Sequence, residues 1–138
     1  MSRKHAEQML KTLEDQSAEY AQKASRLSDL LELAECFLQE MPGKVAAEFG
    51  DRTHLSGKIM FIRCQDEWRL VFESQELQED EFVCESTVQV KARAAILLPE
   101  LMRLIFDTRS SRLQMVEQAL EGLEKLPFLA VGIDKEGK

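Results

Sequence analysis

Apolar side chains recur every three and four residues from the first turn of the chain to residue 41. One set of positions is Leu10, Ser17, Ala24, Leu31 and Leu38; the other is Ala6, Leu13, Tyr20, Leu27, Ala34 and Met41. Spacing of this kind aligns one stripe along a helix face and reads as a heptad. No Pro or Gly interrupts the segment between Ser2, an N-cap residue type, and the Pro42-Gly43 pair that stops it. The pattern predicts a helix over 3–41, roughly 58 Å long at about 1.5 Å per residue. A compact domain of this chain length spans only about 30 Å.

The two halves of that helix differ. From Leu27 onward the apolar face widens, as Leu30, Leu33 and Phe37 join Leu27, Leu31, Ala34 and Leu38. A face this wide predicts docking on a globular core. Before Leu27 the stripe is thin and flanked by Lys, Glu, Asp and Gln. The expectation is therefore a single domain over 1–138, with 1–26 as a projecting helical arm and 27–138 as the globular body. A solitary helical arm is marginal in water, so it calls for a partner, either its own copy or another protein. The residues expected to carry that contact are Leu10, Leu13, Tyr20, Ala24 and Leu27.

Residues 42–58 read as a connector, with a short helix over Val45–Phe49. Lys58–Cys64 and Glu67–Phe72 are two β-rich runs joined by Gln65-Asp66, the pattern of an antiparallel hairpin. Trp68, Leu70 and Phe72 alternate with Arg69 and Val71, which places Trp68 in the core against the helices. A short strand is expected near 82–84. Ser86 followed by Gln89 matches a capping box, and an Ala- and Leu-rich helix is expected from Thr87. Pro99 is expected to kink or divide that helix. Thr108–Ser111 then reads as a break before a final helix over 112–126, with Leu113, Val116, Leu120 and Leu123 on one face. Phe128–Ile133 follows as a short apolar tail. The order predicts an α+β fold: a long N-terminal amphipathic helix, a small antiparallel β-hairpin or sheet, and two or three C-terminal helices packed on it.

Charge sharpens this picture at one place. The chain has 138 residues and a formal net charge of −7. Residues 73–85 hold six acids, Glu73, Glu76, Glu79, Asp80, Glu81 and Glu85, and no basic residue. Nearly all of the net charge is this one segment. Its plainer reading is a solvated loop; the sharper reading is a contact surface for a basic partner, centred on Glu76, Glu79, Asp80 and Glu81. Direct nucleic-acid binding is not expected, because affinity for phosphate rests on clustered Lys and Arg and no basic run exceeds two residues. Neither is a membrane span, since the longest apolar run is Ala94–Leu98.

Candidate chemistry is sparse. Cys36, Cys64 and Cys84 are odd in number and far apart, which argues against a disulfide framework and for a reducing cytoplasm. With only His5 and His54 available, no zinc spacing can be drawn, and neither metal nor cofactor is expected. A Cys64–His54 pair is the only material for a nucleophilic dyad, and spacing alone fixes no geometry. Arg63, Arg69, Arg93, Arg103, Arg109 and Arg112 form an anion site only if the fold gathers them. No phosphate-binding, nucleophile-elbow or zinc-protease motif is present. The expected function is a non-enzymatic protein–protein interaction or assembly role through the N-terminal helix. The alternative is an acidic inhibitor, or mimic of nucleic acid, that binds a basic partner through 73–85.

Overall fold

A computed structural model describes residues 2–50, 57–75 and 79–128. The protein is α+β: two long helices flank a four-stranded antiparallel meander in the order β1-β2-β3-β4. Helix α1 covers Arg3–Glu40, and helix α2 covers Val88–Glu124. The strands are β1 (Ala47–Gly50), β2 (Gly57–Cys64), β3 (Glu67–Ser74) and β4 (Glu81–Phe82), followed by one 3-10 turn over Val83–Glu85.

Helix α1 begins where the sequence predicts. The Ser2 hydroxyl accepts a hydrogen bond from the His5 N–H, satisfying one of the free donors of the first turn. It ends at the Met41 cap, and Gly43, at φ +68°, turns the chain toward the sheet in a conformation that side chains disfavour. The β2–β3 hairpin also matches, with Phe61 opposite Leu70 and Ile59 opposite Phe72. Gln65 takes the positive φ of 59° that the two-residue turn demands.

Three expectations are corrected. The segment expected as a helix over Val45–Phe49 is instead strand β1 at Ala47–Gly50, paired with β2 from Phe61 back to Lys58. Four residues are too few to carry a period of their own, and the pairing with β2 decides the outcome. Second, the described residues hold one long C-terminal helix rather than two or three. Thr108, Arg109, Ser110 and Ser111 are helical throughout, because Ser and Thr cost a helix only a few tenths of a kcal/mol each. Pro99 also sits inside α2, at an exposed position, without dividing the helix. Third, the N-cap of α2 is Thr87, whose hydroxyl accepts from Val90 N–H. Ser86 closes the 3-10 turn instead, its hydroxyl donating to the Phe82 carbonyl.

The core lies between one sheet face and the two helices. Ile59, Phe61, Leu70 and Phe72 project from β2 and β3; Leu31 and Leu38 come from α1; Val90, Ala94, Leu101 and Ile105 come from α2. Each fully buried large side chain contributes about 1.5–3 kcal/mol by leaving water. Trp68 is half-buried on this face and stacks on Phe61 at 5.2 Å between ring centroids, as the alternation predicts.

The docking face of α1 is narrower than expected. Leu31, Glu35 and Leu38 are buried and Leu27 and Ala34 are half-buried, but Leu30, Leu33 and Phe37 are exposed. At about 100° per residue these three lie beside or opposite the Leu31–Leu38 line, outside the arc that faces the sheet. The face of α2 expected to pack is exposed too, at Leu113, Val116, Leu120 and Leu123.

Candidate functional site

The two helices meet over a limited stretch. The Lys91 ammonium donates to the Ser28 hydroxyl at 3.0 Å, and the Phe37 and Phe106 rings pack edge to face at 6.4 Å. Further on, the Arg109 guanidinium lies beside Gly43. These contacts advance together along both chains, so α1 and α2 run in the same sense. The first half of α1 therefore extends past the start of α2, and the second half of α2 extends past the end of α1.

Along α1 the expected contact residues divide. Leu10, Leu13 and Tyr20 are 60%, 56% and 61% exposed. Ala24 is half-covered, and Leu27 is packed against the core cluster. All five lie on the face that buries Leu31 and Leu38 further along. Leu10, Leu13 and Tyr20 thus form an exposed run of apolar surface continuous with the core-facing side and covered by none of the other described residues. On the flanks of this stripe, Arg3 pairs with Glu7 and Lys23 with Glu19, each one helical turn apart. Such exposed pairs contribute only a few tenths of a kcal/mol each.

The acidic segment is not one open surface. Glu79 and Asp80 are exposed; Glu81 is half-buried in β4; Glu76 lies outside the described residues. Glu73 approaches Lys58 at 3.7 Å, and Glu85 approaches Arg69 at 3.6 Å. Two of the six acids therefore each face a cation of the body.

Sequence reasoning missed the most buried polar arrangement. Strand β4 is only two residues long and covers β3 at Val71 and Phe72. The next stretch of that edge is covered by α1. Leu70 N–H donates to the Glu35 carboxylate at 2.8 Å, and the Gln39 amide donates to the Trp68 carbonyl at 2.7 Å. Glu35 and Gln39 stand one turn apart and replace the missing strand, a way of protecting an edge from other chains. Arg69 sits 3.4 Å from Glu35 and lies 4.4 Å over the Phe82 ring. Burial opposes the Arg69 charge, yet the Glu35 and Glu85 carboxylates outweigh it and hold the guanidinium pKa above its ordinary value. The signal was available in the sequence: Glu35 lies between Leu31 and Leu38 on the inward side, where a solvated glutamate does not belong.

Nucleophilic chemistry finds no assembled site among the described residues. His54 lies outside them, so a pair with Cys64 is not described. Cys84 is half-buried, and its thiol is pushed up to about 11 by burial, with the Glu35 and Glu32 carboxylates adding to the effect. A thiol that resists ionisation is a poor nucleophile. No group of three or more His, Cys, Asp and Glu side chains among the described residues is arranged to hold a metal ion. No described helix is long and apolar enough to cross a membrane. Of these six arginines, Arg63, Arg69 and Arg103 pair with carboxylates, and Arg93 lies 5.3 Å over the Phe72 ring. Arg109 and Arg112 converge on one groove.

No protein-family model, no curated protein and no solved structure matches the chain. The functional reading therefore rests on its own residues.

Proposed function

We propose that this is a non-enzymatic assembly protein that joins to a second copy of itself or to another protein through the first half of α1, residues 1–26 acting as an arm on the body formed by 27–138. The observation that carries this reading is the exposed row of Leu10, Leu13 and Tyr20 on the face that buries Leu31 and Leu38. Apolar surface of this length on a helix with few neighbours is best explained by a partner helix that covers it. The three free cysteines suit a reducing cytoplasm as the setting. The acidic-decoy reading through 73–85 ranks second, because of its central acids only Glu79 and Asp80 are exposed among the described residues, while Glu81 is half-buried in β4.

The test is a pair of single substitutions, Leu13→Glu and Tyr20→Glu, in the full chain. Both sites are exposed, so circular dichroism should report the wild-type fold, and the unfolding midpoint should stay near that of wild type diluted until it is monomeric. Each buried Leu is worth about 1.5–3 kcal/mol, so losing one from an interface should weaken association roughly ten- to hundredfold. Sedimentation equilibrium reads this directly. A wild-type chain that is monomeric at all concentrations, and whose partner capture is unaltered by either substitution, overturns the reading.

A further inference from the structure

Each end of the described body carries a helical overhang with an exposed apolar row. From Arg3 to Leu27, where packing on the core begins, α1 overhangs by roughly 36 Å; from Ile105 to Glu124, α2 does so by about 28 Å. On α2 the row is Leu113, Val116, Leu120 and Leu123, at steps of three, four and three. On α1, Leu10, Leu13 and Tyr20 follow the same steps, with Ser17 at the third place. Because α1 and α2 run in the same sense, the overhangs leave opposite ends of the body, and one chain cannot lay its own arm on its own tail. Two copies stacked end to end can. The α2 tail of one then lies along the α1 arm of the next, parallel to it, and carries from copy to copy the side-by-side packing that α1 and α2 make within each chain.

The side chains beside the rows select this pairing over the other ways two copies could meet. With Leu10 and Leu113 both at heptad position a, the e positions hold Glu7 and Glu14 on α1, and Glu117 and Glu124 on α2. The g positions hold Met9, Gln16 and Lys23 on α1, and Arg112 and Ala119 on α2. Antiparallel helices set e against e, so glutamates would face glutamates whichever two rows were paired. Parallel helices set g of one against e of the other. Aligning Leu10 with Leu113 then brings Arg112 to Glu14 and gives Glu117 and Glu124 the uncharged Met9 and Gln16. No like charges meet at these positions. Two parallel arms would instead set Arg3 against Arg3 and Ser17 against Ser17 in the seam. Two parallel tails would bring both bodies to one end, where Phe37 of α1 already packs on Phe106 of α2. We propose that the occupant of the α1 arm is the α2 tail of a second copy, held in a parallel, heterologous contact that repeats from copy to copy. The inference rests on the arm reading above and names its partner.

The experiment mixes two full-length variants, each blocked at one surface: Leu13→Glu in the arm and Leu120→Glu in the tail. Both positions are exposed, so circular dichroism should report the wild-type fold. In sedimentation velocity the wild-type chain should grow beyond a dimer as concentration rises, because a heterologous contact leaves one arm and one tail free on a dimer. Each variant alone should associate at least about tenfold more weakly. Mixed in equal amounts, the two should form a dimer with one chain of each kind and nothing larger. The Leu120→Glu chain still offers its arm, and the Leu13→Glu chain still offers its tail. Arg112→Glu should weaken assembly roughly threefold, and adding Glu14→Arg to the same chain should restore it. If Leu13→Glu abolishes assembly while Leu120→Glu leaves it at wild-type strength, the inference fails and the arm reading stands. A mixture that does not dimerise, or a double charge variant no stronger than Arg112→Glu alone, also overturns it. A wild-type chain that is monomeric at every concentration overturns it too, and partner capture then decides the arm reading by itself.

Discussion

Gly57 shows how little room the core leaves. It opens β2 opposite Ser74, and a Cβ placed there would lie 2.0 Å from Phe72 Cζ and 2.6 Å from Cε2. The Phe72 ring cannot easily retreat. It is fully buried, with the Arg93 guanidinium 5.3 Å over it. Gly57→Ala should therefore cost about 1–3 kcal/mol through overpacking, read as a lower urea midpoint with an unchanged slope. The loss should be smaller in a Phe72→Leu background, where the clashing ring atoms are gone. Additive losses in that cycle would mean that backbone freedom, not the ring, accounts for the glycine. None of this was legible in the sequence, where Gly57 reads only as the end of a connector; the clash exists because Phe72 arrives from the neighbouring strand.

Among the elements, legibility tracked how local each one's cause is. The α1 helix has its cap, its stripe and its stop written within its own residues, and the β2–β3 hairpin has its alternation and turn. Strand β1 has no such internal signal; it exists through its pairing with β2. The continuity of α2 across Thr108–Ser111 was misread because weak helix formers were given the force of breakers. The exposed apolar row on α1 was legible at Leu10, Leu13 and Tyr20. The groove was not, since Lys44 and Arg112 come together only through the fold. The attachment of α1 to the sheet edge gives a sharper test of how elements hold one another. Glu35→Ala would leave the Leu70 N–H without its acceptor and Arg69 without its closest buried partner. Breaking a buried pair on one side costs about 3–5 kcal/mol, and chemical unfolding should show a loss approaching that size. Glu35→Gln keeps an oxygen to accept from Leu70 and should lose less. Equal losses would assign the effect to charge alone.

At the scale of the whole molecule, two helices of similar length each leave the core on one side of a small sheet and continue with apolar rows exposed. The core draws on α1 from about Leu27 and on α2 as far as Ile105. Stability and assembly should therefore be separable in this protein, since the residues that bury surface in the monomer are not those that show it. Deleting residues 2–23 tests that separation, because the deletion removes Leu10, Leu13 and Tyr20 and spares every buried residue of α1. The shortened chain should melt within about 4 °C of a monomeric full-length variant such as Leu13→Glu, the shift that roughly 1 kcal/mol produces in a domain of this size. It should also lose concentration-dependent association. Comparison with wild type must allow for linkage, because an assembled chain gains apparent stability from its partner in proportion to the logarithm of concentration. A deletion that unfolds the body would show that the first half of α1 contributes to the fold as well as to any contact made through it.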